Sequence, residues 1–292
     1  MNRLTLILIL TLCLPFLSPA SGDEKINVVI IGSHPDDADK QAGGTAAEFL
    51  KLGHNVVFVS ITNGDAGHQT MGGEELARRR FLEAQEAGRR FGVEYIVMDN
   101  PDGKLTPDIK IREEIIRIIR RYNADIVIGH RTSALHPDRR NSAILLQDAA
   151  YMVIVPNVVP DEPPLKVNPL FLYFEDNFKK PLPFQPDIVV DITGSFQKKI
   201  FGMAAHESQF FEWQPWIAKS LDQVPDSEQE RLDWLAGMSK SPMTGAKYES
   251  LVKWYGRDRA ANVKVTESFE ICEYGKQPDD DEIRRLFPML GR

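Results

Sequence analysis

The chain has 292 residues, 42% of them hydrophobic and 26% charged, with 35 Lys+Arg against 42 Asp+Glu for a formal net charge of −7. That composition belongs to a globular chain long enough to bury a sizeable core, and it excludes disordered, collagenous and coiled-coil classes. With no basic run, the overall field repels a nucleic-acid backbone, so nucleic acid is not an expected partner.

At the amino terminus one cation, Arg3, precedes an apolar stretch from Leu4 to Leu17 and the small residues Ser18, Ala20 and Gly22. This is the layout of a secretory signal peptide cleaved after Ala20 or Gly22. Residues 1–22 are therefore expected to be removed on export to the periplasm or medium, leaving 23–292 as a single domain with no stable membrane insertion. Leu12 is too large to precede a lipoprotein cysteine at Cys13, which leaves Cys272 as the one cysteine of the mature chain and no internal disulfide.

Along the rest of the chain apolar runs alternate with helical patterns. Ile26–Gly32 reads as a strand, followed by a helix around Gly44–Leu52 that stops at Gly53. Asn55–Ile61 is the next strand, then a long charged helix from about Glu74 to Phe91 ended by Gly92, then a strand over Val93–Met98. Ile111, Ile115, Ile118, Ile119 and Tyr122 share one face of a helix before a fourth buried strand, Ala124–Gly129. A proline-rich, aromatic excursion from Pro156 to Pro186 holds one short strand, LFLYF, and Ile188–Ile192 reads as another strand followed by a helix through His206. The remainder to Arg292, which contains Trp213, Trp216, Trp234 and Trp254, is expected to be helical, with the tryptophans packing in the core or at its rim. Continuous apolar strands with helical crossovers imply an α/β fold, a Rossmann-like, mostly parallel sheet with helices on both faces.

In such sheets the site lies beyond the carboxyl ends of the strands, and the polar residues cluster there: Ser33–Asp39, Thr62–Gln69, Asp99–Gly103 and His130–Asn141. Among them His34-Pro35-Asp36-Asp37 places one imidazole and two carboxylates on a short loop after the first strand, enough for two ligands to a divalent ion such as zinc and an adjacent base. A second His-Pro-Asp, His136–Asp138, follows the fourth strand.

These segments, from VVIIGSHPDDADKQAGGT through ITNGDAGHQTMGGEELARRR, MDNPDGKL, GHRTSALHPDRRNSA and AAHESQF, resemble the PIG-L or LmbE-like de-N-acetylases, zinc enzymes that remove acetyl from N-acetylglucosaminyl conjugates. The resemblance implies that His34 and Asp37 are metal ligands and that Asp36 is the general base. It implies that His136 polarises the acetyl carbonyl with Asp138 orienting it, and that Arg80 and Asp102 hold a small N-acetylated sugar or glycoconjugate. His68 and His130 read as hydrogen-bonding support rather than ligands, and His206 as structural support.

Two departures qualify the resemblance. The family's third metal ligand is a histidine where this chain has Arg139, whose guanidinium has no lone pair to donate and repels a cation. Ala134 and Leu135 stand where the family carries an oxyanion tyrosine. Either His136 or His68 completes the metal site, or metal binding is weak or lost. Two readings follow: an exported metal-dependent N-deacetylase with a modified site, or a non-catalytic glycan binder in which Arg139 replaces the ion's charge and pairs with Asp37. Oligomerisation is left open.

Overall fold

The computed structural model describes residues 25–291; the expected signal peptide, residues 1–22, lies outside them. Seven strands, β1 (Asn27–Gly32), β2 (Asn55–Thr62), β3 (Glu94–Asn100), β4 (Ile126–Gly129), β5 (Leu170–Phe174), β6 (Ile188–Asp191) and β7 (Thr266–Ile271), form one sheet in the order β3-β2-β1-β4-β5-β7-β6. The first five are parallel, and β7 runs antiparallel to both β5 and β6.

Strands β1, β2, β4 and β5 are largely apolar because both faces of the sheet are covered. Val28, Ile30, Phe58 and Ile128 enter one core, while Val29, Ile31, Val59 and Val127 enter the other, the alternation that a pleated strand imposes. On the first face lie α1 (Asp37–Lys51), α2 (Gly73–Phe91) and α5 (Phe196–Met203); on the second lie α3 (Ile109–Arg121) and α4 (Pro137–Met152). Helix α3 buries Ile115, Ile118 and Ile119 as its spacing predicts, and the Asp108 side chain caps it by accepting from Lys110 N at 2.8 Å. Gly92 ends α2 in the left-handed region, φ +87°.

Two expectations are corrected. Helix α1 begins at Asp37 rather than near Gly44. The paired glycines mark a close approach inside the helix, not its start: a Cβ on Gly44 would lie 2.6 Å from the Ile192 side chain. The carboxy-terminal part is also not wholly helical. Its helices α6 (Gln214–Ile217), α7 (Glu228–Met238), α8 (Gly245–Tyr255) and α9 (Arg257–Ala260) precede β7 in the chain and α10 (Asp280–Leu286) follows it, and the β7 sequence TESFEI lacks an apolar run. Its Glu267 is nonetheless buried, held by Lys199 Nζ at 2.7 Å and by the backbone N–H groups of Gly44 and Thr45 at 3.0 and 2.6 Å.

Trp254 is buried and donates from Nε1 to the Asp187 carbonyl at 2.8 Å, whereas Trp213 and Trp216 stack on each other with centroids 5.4 Å apart. Cys272 is buried against the Tyr173 hydroxyl. No helix among the described residues is long and apolar enough to cross a membrane. Since β1 is flanked by β2 on one side and β4 on the other, the crossovers diverge there, and the loops leaving β1 and β4 face each other across the crevice so formed.

Candidate active site

The loop after β1 is folded tightly onto the first turn of α1. A Cβ on Gly32 would sit 2.5 Å from Asp37 Cβ, so only glycine lets the helix begin this close to the strand. Asp37 is wholly buried and accepts through Oδ2 from the backbone N–H groups of Ser33 and His34, both at 3.0 Å, and from His130 Nε2 at 3.0 Å. Its other oxygen, Oδ1, accepts from an Arg139 Nη at 2.6 Å. Burial pushes the Asp37 carboxyl up, but the charges of Arg139 and His130 and these hydrogen bonds outweigh it and hold the group well below the usual carboxylate range.

His34 stands on the other side of the same loop. Its Nε2 lies 3.1 Å from Asp102 Oδ1 and 3.4 Å from Asp138 Oδ2, yet it is buried without an aligned hydrogen bond. Burial lowers its affinity for a proton, but Asp102, Asp138 and Asp37 together raise it well above the ordinary histidine value. His136, the residue that caps α4, packs edge-on against His34 with ring centroids 4.6 Å apart, and its Nδ1 accepts from the Asp138 N–H at 3.2 Å. Burial, then the charge of His34, holds the His136 imidazole below the ordinary value.

Asp138 accepts from Gly103 N at 2.7 Å and from Leu105 N at 3.2 Å, tying α4 to the turn after β3. In that turn Asp102 donates its N–H to Asp65 Oδ1 at 2.8 Å. Burial raises the Asp102 carboxyl, but His34 and then Arg80 bring it below the usual range. Arg80 is buried on α2 and donates to the Gly67 carbonyl and to the Gln209 side chain. Its neighbour Arg79 pairs instead with Glu212, which also accepts from His68 Nε2 at 2.7 Å.

Asp36 differs from all of these. It is fully buried, and neither carboxylate oxygen has a hydrogen-bond partner among the described residues. Arg80 and Arg139 act on it through their charge alone, and a buried carboxylate without hydrogen bonds is costly, the condition of a group open to a ligand, a solvent molecule or a proton.

Sequence reasoning therefore gathers His34, Asp36, Asp37, Asp102, His136, Asp138 and Arg139 into one constellation, with Arg80 at its edge. It does not foresee Asp65 or Gln209, whose roles come from loops and a π-helical turn (Ser208–Trp213) far apart in the chain. The only advance signal was their place in polar segments, GDAGH and HESQF.

Two donor sets bear on a metal ion. His34, Asp37 and position 139 do not fit one, because Asp37 Oδ1 is taken by a permanent cation. His34, Asp102, His136 and Asp138 do fit: each offers a nitrogen or oxygen atom, all within 4.8 Å of one another, a mixed imidazole and carboxylate set suited to a zinc-like divalent ion.

Comparison with known proteins bears on the family resemblance and the fold. Residues 29–150 match the family model PIG-L, described as GlcNAc-PI de-N-acetylase. A diacetylchitobiose deacetylase from Thermococcus kodakarensis is 29% identical over 206 residues, spanning 65% of this chain and 74% of that protein. The solved structure of the N,N'-diacetylchitobiose deacetylase from Pyrococcus horikoshii matches with a TM-score of 0.63 at 22% identity, covering 89% of each chain. A 4-carboxy-2-hydroxymuconate hydratase from Pseudomonas putida has the same fold, TM-score 0.63 at 17% identity, over 87% of this chain and 99% of its own. The resemblance read from the motifs is thus borne out, as is the α/β architecture. The hydratase shows that this architecture alone does not select the reaction.

Proposed function

We propose that the protein is an exported N-deacetylase acting on an N-acetylglucosamine-type glycoconjugate. The observation that carries this reading is Asp36: a buried carboxylate with both oxygens free, on the loop that also supplies His34 to the four-residue ligand set. The relatives' names supply the substrate class, and the composition of residues 1–22 supplies the export.

His34, Asp102, His136 and Asp138 would hold a divalent ion, which would supply Lewis-acid polarisation and lower the pKa of water. Asp36 accepts the proton of the attacking water as its oxygen bonds to the acetyl carbon. When the C–N bond breaks, Asp36 returns that proton to the departing nitrogen, giving a free amine and acetic acid, which ionises to acetate. Arg80, fixed between Gly67 and Gln209, holds a permanent cation beside the substrate position. In this reading His136 serves in the ligand set rather than as the oxyanion partner, and Arg139 neutralises Asp37 without entering the reaction.

The 2.6 Å bond between Arg139 and Asp37 favours a second reading, a glycan binder that does not hydrolyse. Metal analysis of the purified chain, with amine release measured from N-acetylglucosamine derivatives including diacetylchitobiose, separates the two. One bound ion with amine release supports the enzyme. Sugar binding with neither ion nor amine release supports the binder.

A further inference from the structure

A cavity of about 480 Å³, a size typical of small-molecule sites, adjoins the loop after β4 through Ala134 and Leu135 without including His34, Asp102, His136 or Asp138. Two residues of its wall, His130 and Arg139, both bond Asp37. Asp37 follows Asp36 in the chain, so this part of the wall adjoins the carboxylate assigned as the base. Other charges of the wall are spent within the protein: Lys199 on Glu267 at 2.7 Å, Arg131 on Asp176 at 2.9 Å, and Glu175 on Lys247 at 2.5 Å.

Asp37 occupies only part of each partner. Arg139 bonds it through Nη2 at 2.6 Å and more loosely through Nε at 3.4 Å. The third nitrogen of the planar fork, Nη1, has no hydrogen bond among the described residues, and the side chain is 25% exposed. His130 donates from Nε2 to Asp37 Oδ2 at 3.0 Å, which sets the tautomer and leaves the lone pair on Nδ1, also without a partner among the described residues. Burial outweighs the charge of Asp37 and holds the His130 imidazole below the ordinary value, so the ring is neutral at neutral pH. Neither Nη1 nor Nδ1 is among the buried polar atoms left without a partner, so each keeps accessible surface. The wall therefore presents one N–H donor and one lone pair, both oriented by the same carboxylate. An anion matches this poorly, because Asp37 already balances Arg139 and the lone pair repels a carboxylate. Hydroxyl groups match it, since each accepts at its oxygen and donates through its proton.

Resting on the deacetylase reading above, we propose that Arg139 and His130 are specificity residues that recognise hydroxyls of the sugar ring, which accept from Arg139 Nη1 and donate to His130 Nδ1. Asp37 is the positioning residue for both. The exchange at position 139 then has two uses. The guanidinium neutralises Asp37 with two of its nitrogens and binds substrate with the third, and it takes no part in bond breaking.

Calorimetric titration tests this with methyl N-acetyl-β-glucosaminide and its 3-, 4- and 6-deoxy forms, on the full chain carrying Asp36→Asn to suppress turnover. At least one deoxy form is expected to bind about tenfold or more weakly than the parent sugar, the scale of one hydrogen bond to a charged group. Two further variants are then compared in the same background. Arg139→Lys keeps a cation for Asp37 and removes Nη1, and His130→Gln keeps an N–H for Asp37 and leaves no acceptor at the place of Nδ1. In each, the advantage of the parent over that deoxy form should shrink to within about threefold. Equal binding of all four sugars overturns the proposal, as does a gap that survives either variant. No binding of the parent sugar overturns it together with the substrate class. Amine release by the wild-type chain is read separately: a hydroxyl-dependent gap without amine release sinks the deacetylase reading and leaves the recognition standing, and amine release with four equal affinities does the reverse.

Discussion

The segments after β1 and β4 carry the same tripeptide, His-Pro-Asp, and do opposite things with it. In the first, Ser33 to Asp37 are all buried, and the carboxylates face inward. In the second, Leu135 is 77% exposed and His136 is only partly covered, so the loop lies open where the first is closed. The second loop sends one cation, Arg139, into the first, and that cation reaches Asp37 while Asp36 keeps two unpartnered oxygens. One carboxylate is hydrogen-bonded on both oxygens and its neighbour on neither. Adjacent residues of the same type thus differ in which of them the guanidinium bonds.

The sharpest way to break that contrast is at Asp36. Asp36→Asn should lower turnover by about 10²- to 10⁴-fold, the usual loss for a catalytic base, with substrate affinity within a few-fold. Because the wild-type carboxylate holds no partner, the amide should not lower the unfolding midpoint. A near-native rate in this variant would falsify the role given to Asp36.

Arg139 is the opposite case, where stability carries the effect. Arg139→Met leaves Asp37 buried with two histidines and two backbone N–H groups but no fixed cation, and stranding such a charge costs on the order of 3 kcal/mol. Urea unfolding should show that loss, and Asp37→Asn in the same background should return most of it. An unchanged midpoint in Arg139→Met would mean that the remaining partners already satisfy Asp37. Arg139→His is gentler and more informative about metal. It exchanges a repelling cation for an imidazole outside the cluster of His34, Asp102, His136 and Asp138, so zinc affinity by calorimetry should change by no more than about a few-fold. A gain of about tenfold or more would move the ion to His34, Asp37 and the new ring.

How far this was legible from sequence follows the same division. Strands β1 to β4 are continuous apolar runs and the loops after them are polar, so the parallel half of the sheet and the crevice at β1 and β4 can be read directly. The exchange of a histidine for Arg139 is visible as a charge, and its pairing with Asp37 is the simplest way to neutralise both. Strand β7 is hidden because only Phe269 and Ile271 of TESFEI are apolar, and the partners that let Glu267 be buried, Lys199 and the N–H groups of Gly44 and Thr45, are remote in the chain. Helix α1 extends beyond what its local pattern shows because Gly43 packs on Phe91 and Gly44 on Ile192, a tertiary reason that local pattern does not contain. The ligand set escapes for the same cause: Asp102 and Asp138 meet His34 only through the turn that Asp138 braces.

A smaller effect compares a permanent cation with a titratable one on the same helix. Asp37 is paired by Arg139, which stays charged across the accessible pH range, whereas Asp39, two residues on, accepts from His206 Nε2 at 3.0 Å and from the Tyr95 hydroxyl at 3.0 Å, all buried. Burial lowers the His206 proton affinity, but the charge and hydrogen bond of Asp39 outweigh it, so the folded value lies above the ordinary one. The folded state then binds more protons than the unfolded state between the unfolded value of about 6.5 and the raised folded value. The stability from this pair is fully present below pH about 6.5 and is lost as pH rises through the folded value, with a limiting slope of about 1.4 kcal/mol per pH unit for one proton. His34 adds the same sign, and the lowered His130 and His136 add the opposite one, so the wild-type curve alone does not isolate the pair. The difference between wild type and His206→Gln does. That difference should be largest in mild acid and shrink as pH rises, when unfolding free energies are measured in urea across the range. A difference independent of pH would show that His206 is held neutral, and that Asp39, like Asp37, depends on a contact that does not titrate.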